Sequence, residues 1–450
     1  MMSEGLGWLG IFRLGLVQTA LGSVVILTTS TLNRVMVVEL ALPAMIPGFL
    51  VALHYAVQMS RPRLGYGSDI GGKRTPWIVG GILTLGFGAT GASAATLLMA
   101  SDPTWGFILS LVAFLLIGIG VGAAGTSLLV LLAKLVNSRR KPAAATIVWI
   151  MMIVGFVVTT TVVGHYLDPF SLQKLILITA LVSTLALAVT LLAVWNLEDS
   201  AIANKKPEAP IAKKSDFMIA LKEVWQEKDA RRFTLFVFFS MLAYSTQDLI
   251  LEPFAGAVFG MSPGTSTQLS GVHHGGVLLG MLIVALVATL GQKSGVDALR
   301  RWTVGGCIAS AIALVGLVRG GFDALDWHLD ANVFVLGIAN GAFAVAAIAS
   351  MMMLAGHGSS GREGLRMGLW GAAQAIAFGL GGFLGTVGID LARLVFSELA
   401  LVYGLVFSIE ALLFLLAAGI GLRVKAPELS SDKEIPSFGE IASAEILGGR

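Results

Sequence analysis

From Trp105 to Ala133 the chain reads Trp-Gly-Phe-Ile-Leu-Ser-Leu-Val-Ala-Phe-Leu-Leu-Ile-Gly-Ile-Gly-Val-Gly-Ala-Ala-Gly-Thr-Ser-Leu-Leu-Val-Leu-Leu-Ala, without one charged side chain. About 20 apolar residues suffice to carry a helix across the hydrocarbon core of a bilayer. This run exceeds that length, and its apolar residues do not alternate as those of a β-barrel strand do. The stretch is not an exception in its chain. Of 450 residues, 56% are hydrophobic and 13% charged, and the mean hydropathy is +0.85. A soluble domain carries about 25% charged residues. The composition excludes a soluble enzyme, a nucleic-acid reader and a disordered chain.

Working outward, apolar spans fall near 10–31, 41–60, 76–99, 105–133, 143–165, 172–195, 233–252, 268–290, 303–320, 331–355, 367–389 and 398–422. The expected fold is therefore an all-α integral membrane protein with twelve transmembrane helices. The net charge is only +3, but its placement is uneven. Alternate loops hold 21 basic residues, among them Arg61, Lys134 and Lys205, whereas the opposite set holds 4: Arg34, Lys174, Arg319 and Arg393. The positive-inside rule puts the basic loops, and with them both termini, in the cytoplasm. The hydrophilic start, Met1 to Gly5, has no small-residue cleavage site after it, so the first span is expected to be retained. The single cysteine, Cys307, precludes an intrachain disulfide.

The spans fall into two sets. Trp77-Ile-Val-Gly-Gly-Ile returns as Trp302-Thr-Val-Gly-Gly-Cys-Ile. Asn33-Arg34 with Glu39 returns as Gln247-Asp248 with Glu252, and Trp149 returns as Trp370. Each pair is offset by close to half the chain, the mark of a duplicated unit. The expected units are a six-helix half over 1–197, a basic linker over 198–232, a second six-helix half over 233–422 and a polar tail over 423–450. Within the linker, Asp216 to Arg232 has the pattern of a short amphipathic surface helix, with Phe217, Ala220, Leu221, Val224 and Trp225 on one face. Two six-helix repeats are the architecture of the major facilitator superfamily. Gly65-Tyr-Gly-Ser-Asp69-Ile-Gly-Gly72-Lys73-Arg74 resembles that superfamily's signature loop. Gly65, Asp69, Gly72 and Arg74 are read as a conformational latch or, equally, as a packing turn.

Ionisable groups in a span are costly and point to function. Arg34 and Glu39 stand at the end of span 1, and Asp248 and Glu252 at the end of span 7, where Pro253 and Gly256 are expected to break the helix. They are read as a ligand or proton site between the halves, or as anchors of helix ends. His54 lies in span 2, and His273 and His274 in span 8. Neutral imidazole is a good metal ligand, and these three are candidates to ligate the magnesium of a chlorin, with Gly275, Gly276 and Gly280 leaving room for a macrocycle. The alternative is a hydrogen-bonding strut. Gly118-x-x-x-Gly122 and Gly381-x-x-x-Gly385 are read as packing seams. No phosphate loop, no paired acidic motif and no nucleophile-base pair appears, so neither catalysis nor a metal-ion site is expected.

Two segments, Thr31-Leu-Asn-Arg-Val-Met-Val-Val-Glu-Leu40 and Gln247-Asp-Leu-Ile-Leu-Glu-Pro-Phe-Ala-Gly256, resemble the PucC/LhaA family, the bacteriochlorophyll-delivery branch of the major facilitator superfamily. The resemblance covers nearly all of 1–425. Within the family, His54 to Gly80 is most like the branch encoded among pigment-synthesis genes and labelled an accessory chain of bacteriochlorophyll synthase.

The resemblance implies delivery of bacteriochlorophyll or a precursor to light-harvesting complexes, or assembly of those complexes. It marks Arg34, Glu39, Gln247, Asp248 and Glu252 as family-signature polar groups. The implied partners are light-harvesting or reaction-centre polypeptides, pigment-synthesis enzymes and membrane lipid, with no nucleic acid. The implied location is the inner, photosynthetic intracytoplasmic membrane of a bacterium. The competing reading is a secondary transporter of a small solute, driven by protons through Glu39 or Glu252.

Overall fold

The computed structural model describes residues 6–59, 73–137, 140–198, 222, 225–290, 296–355 and 363–424. It is built of helices: α1 (Trp8–Glu39), α2 (Met45–Gln58), α3 (Thr75–Met99), α4 (Pro103–Leu135), α5 (Lys141–Leu167), α6 (Leu172–Val194), α7 (Lys228–Phe259), α8 (Pro263–Leu290), α9 (Val296–Phe322), α10 (Leu329–Ala355), α11 (Glu363–Arg393) and α12 (Leu399–Leu422). Eleven are long and apolar enough to cross a membrane, and α2 is a shorter apolar helix. The chain is an integral membrane protein.

Local signals start most helices where expected. Asp102 caps α4, accepting from the Trp105 N–H at 3.1 Å, with Pro103 in the first turn. Ser171 caps α6 through the Lys174 N–H at 3.1 Å. Gly260 ends α7 in the left-handed conformation, φ +68°.

Small residues set the closest packing, since without a hydrophobic drive between helices in lipid the backbones must approach for contact. Gly81, Gly88 and Gly120 seat α3 on α4. Gly276, Gly280, Gly337 and Gly341 seat α8 on α10. Of the two expected seams, Gly118 lies against His54 and Val57 of α2, while Gly381 and Gly385 lie against α7. One apolar cluster is drawn mainly from α7 to α12 and others from α1 to α6. Besides the contact of α1 with α7 and α8, two helix pairs join these groups. In the first, α2 meets α11 through Phe49–Phe383 and Tyr55–Phe378, with centroids 6.2 and 5.7 Å apart. In the second, α5 meets α8 through Ile153, Val277 and Met281.

The end of the bundle away from the basic loops, the distal end, is tied by reciprocal caps. The Asp390 carboxylate at the end of α11 accepts the N–H groups of Ala44 and Met45 at the start of α2, at 2.9 and 2.7 Å. Asp168, after α5, accepts from the Ser262 hydroxyl and from the Gly264 N–H at the start of α8, the latter at 3.2 Å. Each group of helices thus supplies the acid that the other's helix N-terminus needs.

The first span is longer than the reading of 10–31. It continues to Glu39 through two π-helical stretches, Leu27–Thr31 and Val35–Glu39, because its polar residues find partners on α7 and α8. Pro253 and Gly256 do not break the seventh span as expected; α7 runs through both to Phe259, for reasons given below. The helix also starts at Lys228, earlier than 233. Of the amphipathic face, Trp225 is exposed, and Phe217, Ala220, Leu221 and Val224 lie outside the described residues.

Glu198, placed by sequence in the linker, is buried. Its carboxylate accepts the Arg74 N–H at 2.8 and 2.9 Å, and the Thr75 N–H and hydroxyl at 2.9 Å each, which closes the N-terminus of α3. We expect Glu198→Ala to destabilise the protein by about 2 kcal/mol, the loss of a charged cap, and Glu198→Gln by roughly half of that. Thermal melting in detergent checks this, and an Ala variant melting like wild type would remove Glu198 from the fold's supports.

Candidate functional site

Pro253 has no N–H, so the Leu249 carbonyl one turn back loses its helical donor. In lipid no water replaces it. Asn33 of α1 does: its amide nitrogen donates to the Leu249 carbonyl at 2.5 Å. That bond lets α7 continue through the proline and fixes α1 against it. Gly256, one turn further, leaves the room that the Arg34 guanidinium fills; an added Cβ would stand 2.9 Å from Nη2. The buried Arg34 donates to the Glu39 carboxylate and, at 2.6 Å, to the Met261 carbonyl. Ser30 donates to Glu252 at 2.5 Å, and the Thr31 and Thr267 hydroxyls meet at 3.2 Å. The segments read as signatures in sequence are thus one knot of α1, α7 and α8. The π-helical turns of α1, a feature frequent at functional sites, lie within it.

The histidines separate into different environments. The Gln247 amide nitrogen lies 3.0 Å and that of Asn340 3.3 Å from His273 Nε2. An amide nitrogen can only donate, so this Nε2 accepts. Ser310 holds the Asn340 oxygen at 2.8 Å, completing a buried chain. His54 Nε2 likewise faces the Gln58 amide nitrogen at 2.7 Å. His274 differs. Its Nδ1 donates to the Ser270 carbonyl at 2.8 Å, which leaves the lone pair on Nε2. The Phe156 ring of α5 stands edge-on at 5.0 Å. A Cβ at Gly275 would meet nothing within 4 Å, whereas Gly276 and Gly280 are filled by the α10 backbone. Of the three glycines expected to make room for a macrocycle, only Gly275 borders open space, because the other two are spent on helix packing.

Between these layers Tyr244 and Asp248 are half-buried. Aromatic rings surround them: Tyr244 meets Phe378 at 5.9 Å and Phe343 at 6.2 Å, and Tyr55 reaches the same Phe378. Asp248 and Glu252 share a face of α7, but only Glu252 enters the α1 contact. Sequence reasoning missed Glu410. It is fully buried in mid-α12, and neither carboxylate oxygen has a hydrogen-bond partner. The signal was present: it is the only charged residue from Leu399 to Leu422. Glu227 was also missed; it accepts a bidentate pair from the buried Arg366 at 2.7 to 3.0 Å. Of the loop motif, Gly65, Asp69 and Gly72 lie outside the described residues. Arg74 is buried at the start of α3, its backbone held by Glu198.

The chain has known relatives. The PUCC protein family matches residues 31–429. The bacteriochlorophyll synthase 44.5 kDa chain of Rhodobacter capsulatus is 51% identical over 430 residues, 94% of this chain and 96% of that one. Protein PucC of Rhodovulum sulfidophilum is 29% identical over 412 residues, 87% of each. Among solved structures, a bacterial homologue of the human lysosomal transporter Spinster, inward-facing and unoccupied, aligns with a TM-score of 0.63 at 15% identity, covering 93% of this chain and 98% of its own. A POT family transporter in complex with a thioalcohol-conjugated peptide aligns at 0.65 and 12% identity, covering 92% and 96%. At such identities the likeness shows the fold alone, the one these two transporters share.

The Asn33–Leu249 bond makes a sharp prediction. Asn33→Leu should destabilise the protein by about 1–3 kcal/mol, the cost of an orphaned buried carbonyl. Pro253→Ala restores an N–H to that carbonyl and should recover most of the loss in the double variant. Additive melting shifts in the cycle would show that the two residues do not share the Leu249 carbonyl.

Proposed function

The chain belongs to the PucC family, and on that premise we propose that it delivers bacteriochlorophyll or a precursor to light-harvesting or reaction-centre polypeptides, or assists their assembly in the membrane. Its role lies in the biogenesis of photosynthetic pigment or complexes. The observation that carries the finer reading is His274. A neutral imidazole with its lone pair on Nε2 suits the fifth coordination site of a chlorin's magnesium. It stands at the α5–α8 contact between the two groups of helices, next to the open side of Gly275. His273 and His54 serve as struts in this reading, since amide groups hold their Nε2 atoms. Tyr55, Tyr244 and Phe378 would offer flat apolar surface to a ring.

The proposed body has two six-helix halves, 1–197 and 233–422, joined by 198–232 and followed by the tail 423–450, with α2 as the twelfth span. Corresponding groups do corresponding work, which supports this division. The second glycine of each Gly-Gly pair, Gly81 and Gly306, faces the next helix, and the first, Gly80 and Gly305, faces open space. Asp168 and Asp390 cap α8 and α2 in turn. In this proposal the chain moves or holds pigment without transforming it, working with pigment-synthesis enzymes in the inner, intracytoplasmic membrane. The basic loops and both termini face the cytoplasm.

Purification from the native membrane in mild detergent, with an absorbance spectrum, tests the reading. We expect a near-infrared chlorin band that His274→Ala reduces about tenfold or more, as loss of a metal's protein contact does, while His54→Ala leaves it. Unchanged pigment in His274→Ala rejects that ligand. A colourless preparation without photosynthetic polypeptides favours the solute transporter.

Orientation has its own check. In a Cys307→Ser background, Leu325→Cys, fully exposed between α9 and α10, should react with an impermeant maleimide from the periplasmic side of intact cells. Protection there would invert the topology.

A further inference from the structure

Around Glu252 the structure gathers buried oxygen atoms from α1, α7 and α8. Glu252 is buried, and its Oε1 accepts from Ser30 at 2.5 Å, while Oε2 makes no bond of ordinary geometry and has the Thr267 and Ser270 hydroxyls beside the carboxylate. Asn33 Oδ1, buried in the same α1–α7 contact, has no hydrogen-bond partner. Thr31 and Thr267 pair their hydroxyls at 3.2 Å, and Ser270 lies one turn along α8 from Thr267. All four hydroxyl residues are buried. Buried polar atoms in a native fold are normally satisfied, and those that are not point to water or an ion.

Charge narrows the occupant. Of the charged side chains at this end, Arg34 of α1 is the one that acts on Glu252 among the described residues, Glu39 pairs with Arg34, and Asp390, Arg393 and Asp168 serve other contacts. Arg34 is already paired with Glu39 and with the Met261 carbonyl. The pair is neutral as a unit, so ionised Glu252 leaves one negative charge among these hydroxyls. From α8 the pocket receives hydroxyls and no charge. Asp248, one turn away on α7, is half-buried. One carboxylate and several hydroxyl oxygens form a hard oxygen site of net charge −1. Divalent calcium ordinarily takes six to eight oxygens with several carboxylates, and magnesium holds to near-ideal octahedral geometry. A single charge and hydroxyl ligands suit a small monovalent cation.

We infer that Glu252, with the hydroxyls of Ser30, Thr31, Thr267 and Ser270, binds a sodium-class monovalent cation between α1, α7 and α8. The ligands come from both groups of helices, so the ion holds the distal contact closed. Opening that contact separates Ser30 from Glu252 and releases the ion. Cation binding and closure are therefore linked.

The test uses the full-length protein in lipid nanodiscs with radioactive sodium ion as the probe, at fixed pH and ionic strength. We expect saturable binding that unlabelled sodium chloride displaces and choline chloride does not. Sodium should also raise the melting temperature over choline, as a ligand of the folded state does. Glu252→Gln should abolish binding, Ser30→Ala and Thr267→Ala should each weaken it about tenfold, as loss of one supporting group does, and Asp330→Asn, outside the site, should leave it intact. The Ser30 and Thr267 variants keep the inference testable if Glu252→Gln does not fold. Absence of saturable binding overturns it, as does binding that survives in Glu252→Gln. Melting that follows pH but not sodium also overturns it, in favour of a proton. Bound sodium and bound chlorin are read separately, so failure here leaves the pigment reading standing, and the reverse holds too.

Discussion

A backbone carbonyl in the interior of a membrane protein must find a donor, because lipid offers none. At Pro253 that requirement reaches across the molecule. The proline removes the helical donor of the Leu249 carbonyl, and Asn33 of α1 supplies the replacement. The same rule governs the ends of helices. The first N–H groups of α2 and α8 have no intrahelical acceptor, and Asp390 and Asp168 provide one from the opposite group of helices. These obligatory bonds at one end of the bundle thus fasten its two groups of helices together. Any movement that parts this end must replace all of them.

The fastening also explains where charge can be kept. Arg34 is tolerated in a buried position because Glu39 and the Met261 carbonyl meet it and Gly256 makes its space. Glu252 sits beside it with one oxygen that makes no bond of ordinary geometry, and Glu410 sits deeper with both oxygens unsatisfied. A protein does not retain such groups for stability, since an apolar side chain of the same shape would serve better. Their presence directs attention to binding and movement.

Histidine chemistry is settled by neighbours. Three imidazoles that look alike along the chain occupy three environments. Amide donors commit the Nε2 atoms of His54 and His273 to hydrogen bonds, and the Ser270 carbonyl turns the His274 lone pair the other way. The glycines beside His274 divide similarly: Gly276 and Gly280 serve the α10 backbone, and Gly275 borders free space. The proposed pigment contact rests on that division, with membership of the family as its frame.

The sequence by itself determined the solvent of this protein, the helical class, most span positions and the segments that form the polar knot. Hydropathy and charge report lipid exposure residue by residue, so they need no knowledge of contacts. The spacing of Asn33, Arg34, Gln247 and Glu252 also marked residues that make buried contacts between helices. Only the tertiary structure decided what those residues do. A proline reads as a break until a donor from another helix is seen to satisfy its carbonyl, and Glu198 reads as linker until the N-terminus of α3 is found against it. Partners that lie more than a hundred residues away, such as Glu198 for Thr75 or Asn33 for Leu249, leave no local periodicity, because their spacing is set by the packing of helices and not by the pitch of one.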